Sequence, residues 1–397
     1  MNNLSYQPVA DADRARYIQN EAQAFNVDSA DVARWLNEGA TGDMRGLYDG
    51  ARLVTQCMLF PFTVMIGGGA LPCGGIGGVA SPPEERRRGY IEQMLRGLCG
   101  ELGERGTALC MLFPFKTSFY ARFGWAVCME RRVYSGTPDL FRSFLEQQHG
   151  RFELAGEAQI GELNAIYTEA LRGRFGLLVR DEKWWRKDVL SDGKKPYFTY
   201  LWRDDSGRGR AYLAYRWEAR PHGGKAMICR EIVACDPDAR AQLFALIANH
   251  DSQCSEVVFR APADAPVNLL LTDPLKCEIE PYFMLRLVDV AAALSAYTYP
   301  KLASGRLTIA ITDDWLVANN CVFALEVASG VAECRRLPDS TVADLRCDVR
   351  LLTQLYSRYL RPRTAAAFGL LDAPNRAALV LAEQLFAGLA PFSSDFF

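Results

Sequence analysis

Residues 74–95, GGIGGVASPPEERRRGYIEQML, constrain the fold of this chain more than any other stretch. A glycine-rich strand ends in two prolines, three arginines stand directly before Gly89, and an amphipathic helix follows at once. Pro82 and Pro83 have no backbone N–H, so the chain cannot go on there as a paired central strand. Ile91, Met94, Leu95, Leu98 and Leu102 share one helix face by their spacing, and the wholly apolar run 108–113 comes next. Strand, turn, helix and buried strand in this order make an α/β unit with parallel strands.

A helix mouth exposes unpaired N–H groups and a partial positive charge, and it holds phosphate well. Gly89 lets phosphate approach the backbone closely, and successive N–H groups of the turn form a concave nest. Arg86, Arg87 and Arg88 add charge and paired donors. The plain alternative is a solvated basic turn. The strand end favours a ligand, because the backbone of Val79, Ala80 and Ser81 has no onward sheet partner. A pyrophosphate at the helix mouth with an amide-bearing arm along this strand describes coenzyme A.

At 397 residues the chain is long enough for two or three domains. DVARWLNEG (31–39) reads as a helix, and the apolar run 51–66 reads as a strand between turns at Asp49-Gly50 and at Gly67–Gly69. The pattern breaks over 131–139, at Gly136-Thr137-Pro138-Asp139, where a domain boundary is expected. The next region echoes the first, with strands at 210–218 and 225–235, a helix over 236–250 and a strand at 256–262. Its turn reads ACDPDARAQ, so the arginine cluster and the glycine are gone. This is a degenerate repeat that keeps the packing and has lost the anion site. From about Asp289 a third, α+β region follows, with a strand–turn–strand over 305–327 and amphipathic helices over 349–360 and 377–389.

A formal net charge of −2 argues against non-specific binding to nucleic acid or an acidic membrane. The opening MNNLSYQPVADADRARY has no apolar core of a secretory leader, and no apolar run is long enough to span a bilayer, so a cytoplasmic location is expected. The 12 cysteines contain no C-x-x-C pair, and His149, His222 and His250 lie far apart. That pattern points away from zinc or any other metal, and from a histidine triad.

The stretch GGIGGVASPPEERRRG resembles the acetyl-CoA motif of the GNAT N-acetyltransferases. FYARFGW (119–125) is similar to the Y-x-x-F-G segment of their Eis-like (enhanced intracellular survival) subgroup, and the chain ends in an aromatic residue, Phe397, as Eis-like chains do. Ile91 stands where the usual motif has a small residue. The resemblance implies tandem GNAT folds, the second degenerate, followed by a sterol-carrier-protein-like α+β domain, divided as 1–134, 135–288 and 289–397. It implies acetyl transfer from acetyl-CoA to a primary amine of a small molecule (a polyamine or aminoglycoside-like compound) or of lysine, by a homo-oligomer, a homohexamer. Val79, Ala80 and Ser81 would contact the pantetheine arm. Arg87, Arg88, Gly89, Tyr90, Ile91 and Glu92 would hold the pyrophosphate, and Phe115 and Lys116 would line the cleft. Tyr120 would be the general acid and the α-carboxylate of Phe397 the general base.

The chemistry is demanding. A tyrosine of pKa about 10 protonating a thiolate of about 8.5 is uphill by roughly 2 kcal/mol in water. An α-carboxyl near about 3.5 facing an ammonium near about 9.5 is mismatched by about 8 kcal/mol. Either burial raises that carboxyl, or it binds the ammonium while water carries the proton away. Asp28, Asp31 and Glu38 are acidic candidates for holding a cationic substrate. The alternative reading is a catalytically silent sterol-carrier-like protein that binds an apolar ligand beside a vestigial GNAT core.

Overall fold

A computed structural model describes residues 4–38, 42–191, 195–221 and 223–397; His222 and the last residue of the 31–39 segment, Gly39, lie outside them. The strands run in chain order as β1 (Leu4–Pro8), β2 (Asp43–Asp49), β3 (Arg52–Ile66), β4 (Gly69–Ala80), β5 (Leu109–Leu112), β6 (Ala126–Val127) and β7 (Glu130–Gly136). They continue as β8 (Arg151–Leu154), β9 (Phe198–Arg203), β10 (Gly209–Ala219), β11 (Lys225–Ala234), β12 (Glu256–Pro262), β13 (Lys276–Pro281) and β14 (Met284–Leu287). The third region supplies β15 (Gly305–Thr312), β16 (Cys321–Ala328), β17 (Val331–Leu337) and β18 (Leu345–Asp348).

Three sheets result, ordered β1-β2-β3-β4-β5-β14-β6, β13-β7-β12-β11-β10-β9-β8 and β17-β16-β15-β18. The architecture is two GNAT folds and a sterol-carrier-like α+β fold, as the resemblance implies. The two GNAT sheets exchange strands. β7 sits between β12 and β13 of the second sheet, and a division at residue 134 falls inside it. β14, from the far end of the second region, completes the first sheet between β5 and β6.

The unbroken apolar run of β3 reflects burial on both faces. Alternation sends Cys57 and Leu59 beneath helix Tyr90–Glu104, while Met58 and Phe60 pack with Tyr17, Val32 and Leu36 of two helices, Arg14–Phe25 and Ser29–Asn37. The expected glycine turns close the β2–β3 and β3–β4 hairpins, with Gly50 and Gly67 at positive φ. The parallel pairings β4–β5 and β11–β12 both form as expected from the repeat. The third region docks through a buried ion pair, Arg286–Asp313 at 2.5 Å, with Asn319 also bonded to Asp313 at 3.0 Å. Among the described residues no helix is long and apolar enough to cross a membrane.

Candidate active site

β4 and β5 pair only from Cys73–Leu109 to Ile76–Leu112, and beyond that point the strands part. On its other side β4 carries a bulge: Gly77 faces Met58 and Ala80 faces Gln56, so Gly78 and Val79 together oppose Cys57. The bulge turns backbone groups of β4 out of the ladder. A cavity of about 760 Å³ fills the gap, lined by Val79, Ala80, Ser81, Ile91, Phe115, Tyr120 and Phe397 among others. With Arg86, the structure therefore brings eight of the residues named from the sequence to one wall system.

The arginine-glycine turn closes one end. Arg87 (φ 62) and Gly89 (φ 79) both adopt left-handed backbone, which gives the turn its nest, and no side chain caps the helix that starts at Tyr90. Arg86 donates to the Ser81 carbonyl at 3.1 Å and lines the cavity. Arg88 lies 3.5 Å from the buried carboxylate of Glu85. A coenzyme A pyrophosphate fits this mouth: the N–H groups are uncapped, and the space beside Gly89 is open where a Cβ would stand.

Other named residues spend their side chains elsewhere. Tyr90 is buried in the core beneath its helix. Glu92 accepts from Arg96 and from the Trp315 indole, each at 3.3 Å, so its backbone is what it can offer a ligand. Lys116 is exposed at the start of the short helix Thr117–Ala121 and does not line the cavity. Of the acidic candidates, Asp28 caps its own helix, Asp31 pairs with Arg34 and Glu38 lies 4.0 Å from Lys187; none lines the cavity.

Tyr120 sits at the end of that short helix, its ring packed against Phe115, Phe119 and Trp125. Burial, reinforced by the nearby Cys57 thiol, holds its phenol well above the ordinary value, so it stays protonated at neutral pH. Gly124 in the same segment makes room for the Arg286 guanidinium, which a Cβ there would meet at 1.8 Å. That explains the glycine of Y-x-x-F-G.

The last residue is docked, while Phe396 before it stays 57% exposed beside Phe113. The Phe397 ring packs on Phe62 at 4.6 Å, Phe283 at 4.8 Å and Phe60 at 5.7 Å. The glycines of β4 are its seat. A Cβ on Gly75 would stand 3.0 Å from the Phe397 ring, and one on Gly77 would stand 3.2 Å from its carboxyl carbon.

What holds the tail was invisible in the sequence. Arg180 contacts both Asp395 (2.9 Å) and Glu231 with no exposed side-chain surface, and the Trp184 indole donates to Asp395 at 2.8 Å. Burial pushes the Glu231 carboxyl up, and Arg180 more than reverses that, to about 2. Tyr282 donates to the Asp395 carbonyl and Arg230 to the Ser394 carbonyl.

Glu21, also missed, lines the cavity beside Gly78, where a Cβ would meet both its carboxylate oxygens at 2.9 Å. Its Oε2 is buried without a hydrogen-bond partner, and burial raises its pKa to about 7, against a lowering by Gln56. Nothing in the spacing of the Arg14–Phe25 helix distinguishes it.

Comparison with known proteins agrees with this geometry. Two models of an acetyltransferase (GNAT) domain match residues 5–128 and 176–287, and a sterol carrier protein domain model matches 290–394. An uncharacterized N-acetyltransferase of Streptomyces griseus is 27% identical over 375 residues, 89% of each chain. The N-acetyltransferase Eis of Mycobacterium tuberculosis is 26% identical over 388 residues, 93% of this chain and 92% of that one. A crystal structure of a GCN5-related N-acetyltransferase from Anabaena variabilis superposes over the whole of both chains, with a TM-score of 0.88 at 24% identity. A splayed β4 with an uncapped arginine-glycine mouth, in a chain built this way, defines a GNAT acyltransferase, whose fold implies acetyl-CoA as co-substrate. Within that class the chain belongs to the Eis-like N-acetyltransferases, with a degenerate second GNAT domain and a sterol-carrier-like third.

Proposed function

We propose that this protein transfers the acetyl group of acetyl-CoA directly to a primary amine of a small molecule or lysine, with Tyr120 as general acid and the Phe397 α-carboxylate binding and deprotonating the amine. The observation that carries the reading is that Tyr120, the C-terminal residue and the bulged backbone of β4 line one cavity. Val79, Ala80 and Ser81 would run beside the pantetheine arm, and the turn from Arg87 to Glu92 would take the pyrophosphate. Phe115 walls the cleft, which Lys116 does not reach.

Acetyl-CoA, when bound, supplies the acetyl group as a thioester. Backbone N–H groups freed by the β4 bulge are placed to polarise its carbonyl oxygen. The ammonium of the substrate must lose a proton before nitrogen attacks. The six-unit gap to an ordinary α-carboxyl is too wide for Phe397 alone, and Glu21, titrating near about 7, narrows it. Phe397 then anchors the amine and takes its proton, passing it on to Glu21 directly or through water. As the new C–N bond forms and the C–S bond breaks, Tyr120 hands its hydroxyl proton to the leaving sulfur. Burial raises Tyr120 and makes it a weaker donor, but the same apolar cleft raises the thiol too, which offsets that added cost.

The silent-carrier reading is less well supported, because the cavity described above is lined by the two GNAT regions and the last two residues of the chain. The functional division proposed is 1–134, 135–288 and 289–397, across which the sheets exchange strands. By the same resemblance the protein acts as a cytoplasmic homohexamer, which light scattering on the purified chain tests. Thiol release from acetyl-CoA against a panel of amines tests the activity; no release with any amine overturns it.

A further inference from the structure

A second cavity, of about 820 Å³, lies under the C-terminal tail in the second GNAT region. It opens where β11 and β12 part, beyond Ile228–Val258, as the first opens where β4 and β5 part. The phosphate mouth is absent here. The helix Pro237–Ala248 is capped by the carboxylate of Asp236, which accepts from the Ala239 N–H at 2.8 Å and pairs with Arg210 at 2.7 Å. A protein carboxylate thus fills the place that Gly89 leaves open in the first region.

The walls instead carry six guanidinium groups, on Arg131, Arg174, Arg216, Arg230, Arg240 and Arg260. Four carboxylates line the cavity with them, Asp188, Glu231, Asp264 and Glu280; Asp264 pairs with Arg174 at 2.8 Å, and Glu218, outside the lining, pairs with Arg216 at 2.7 Å, so six guanidinium groups against five carboxylates leave a small positive surplus. Glu231 is already bound to Arg180, which lies outside the lining. Glu280 is shared between Arg131 at 2.7 Å and Arg260 at 3.6 Å, and the Nε atoms of both arginines are buried without a hydrogen-bond partner. Among the described residues Arg240 forms no ion pair. A carboxylate is the planar acceptor that suits a guanidinium fork; Arg240, with no ion pair, and the Arg131–Arg260 couple, which share one carboxylate, offer it donors. Ile228, Val233, Phe244 and Phe259 make the rest of the wall apolar.

This cavity meets the first one. Phe113, Asp188 and Phe396 line both, and the Phe113 and Phe396 rings stand edge to face at 5.1 Å. We propose that the second cavity binds the carboxylate end of the amine substrate, an amphipathic amino carboxylate whose apolar middle passes Phe113 and Phe396 and whose amine reaches Phe397. This rests on the acetyl-transfer reading, and it favours such a substrate over an all-cationic polyamine.

Calorimetry with octanoate tests the site without chemistry, on wild type and on an Arg240→Gln/Arg260→Gln variant; the exposed Arg240→Gln alone serves if the pair unfolds. Thiol release then compares 8-aminooctanoate with octylamine. The expected result is one octanoate per chain, bound at least about tenfold more weakly by the variant. In wild type, 8-aminooctanoate should exceed octylamine in kcat/KM by about tenfold or more, and the variant should erase that preference. Absent octanoate binding, equal binding by the variant, or equal turnover of the two amines overturns the proposal. If neither amine releases thiol while octanoate binds in an arginine-dependent way, the anion site stands and the acetyl-transfer reading is what fails.

Discussion

The guanidinium of Arg180 lies 2.9 Å from the carboxylate of Asp395, two residues before the C-terminus, and neither side chain is exposed. This pair, with Glu231 and the Trp184 indole, holds the tail so that Phe397 reaches β4. Removing Asp395 leaves Arg180 with Glu231 alone and the buried Trp184 indole without its acceptor, at a cost of about 1–3 kcal/mol. Asp395→Ala should therefore lower the melting temperature and reduce kcat together, while acetyl-CoA affinity, read by calorimetry, holds in the folded fraction. Full kcat in a folded Asp395→Ala protein contradicts the positioning role.

Tyr120→Phe removes one hydroxyl from a packed ring. The expected loss is about 10²- to 10⁴-fold in kcat with acetyl-CoA affinity unchanged. A loss of cofactor affinity equal to the loss of rate would assign Tyr120 to binding instead.

Gly89 is a different kind of site. A Cβ there meets nothing in the protein, yet φ is 79° and the open space is where a pyrophosphate would lie. Gly89→Val should weaken acetyl-CoA by at least about tenfold while costing only about 1–2 kcal/mol of stability through backbone strain. Unchanged calorimetric affinity removes the cofactor from this turn.

Glu21 gives a pH signature. Its folded pKa, about 7, lies above the ordinary carboxyl value, so the native state holds the proton more tightly than the unfolded chain. The associated stability is fully present below about pH 4.5 and is lost as pH rises through about 7. Glu21→Gln should accordingly be more stable than wild type at pH 8, by about 3 kcal/mol, and not at pH 4, as thermal melts at the two pH values would read. If Glu21 receives the amine proton, the wild-type rise of kcat/KM near pH 7 disappears in the variant. A profile that keeps this rise gives the proton to another group.

The tandem architecture was legible because its signals are local: the alternation in β3, the helix face from Ile91 to Leu102, and the repeated strand–helix–strand order. The seat of the tail was half legible. The glycines of GGIGG were visible, but the groups that need their space are the Phe60 and Phe62 rings of β3 together with the ring and carboxyl of residue 397, more than 300 positions away. The strand exchange of β7 and β14, the Arg180–Asp395 pair and Glu21 depend on which distant elements meet, which no spacing along the chain records. In the second region the sequence shows that the turn ACDPDARAQ lacks the arginines and the glycine; that the Asp236 carboxylate caps the following helix appears only in the fold.

The central claim is that the Phe397 carboxylate works in the cavity, and the chemical state of the C-terminus tests it most directly. A C-terminal tag turns that carboxylate into an amide and forces chain into the space against Gly77. Deleting Phe397 alone leaves a carboxylate on Phe396, displaced by about 3.5 Å, one residue of extended chain. Thiol release with a confirmed amine should fall at least about 10²-fold in both proteins, with acetyl-CoA binding retained. A tagged protein that turns over that amine at the wild-type rate contradicts the account.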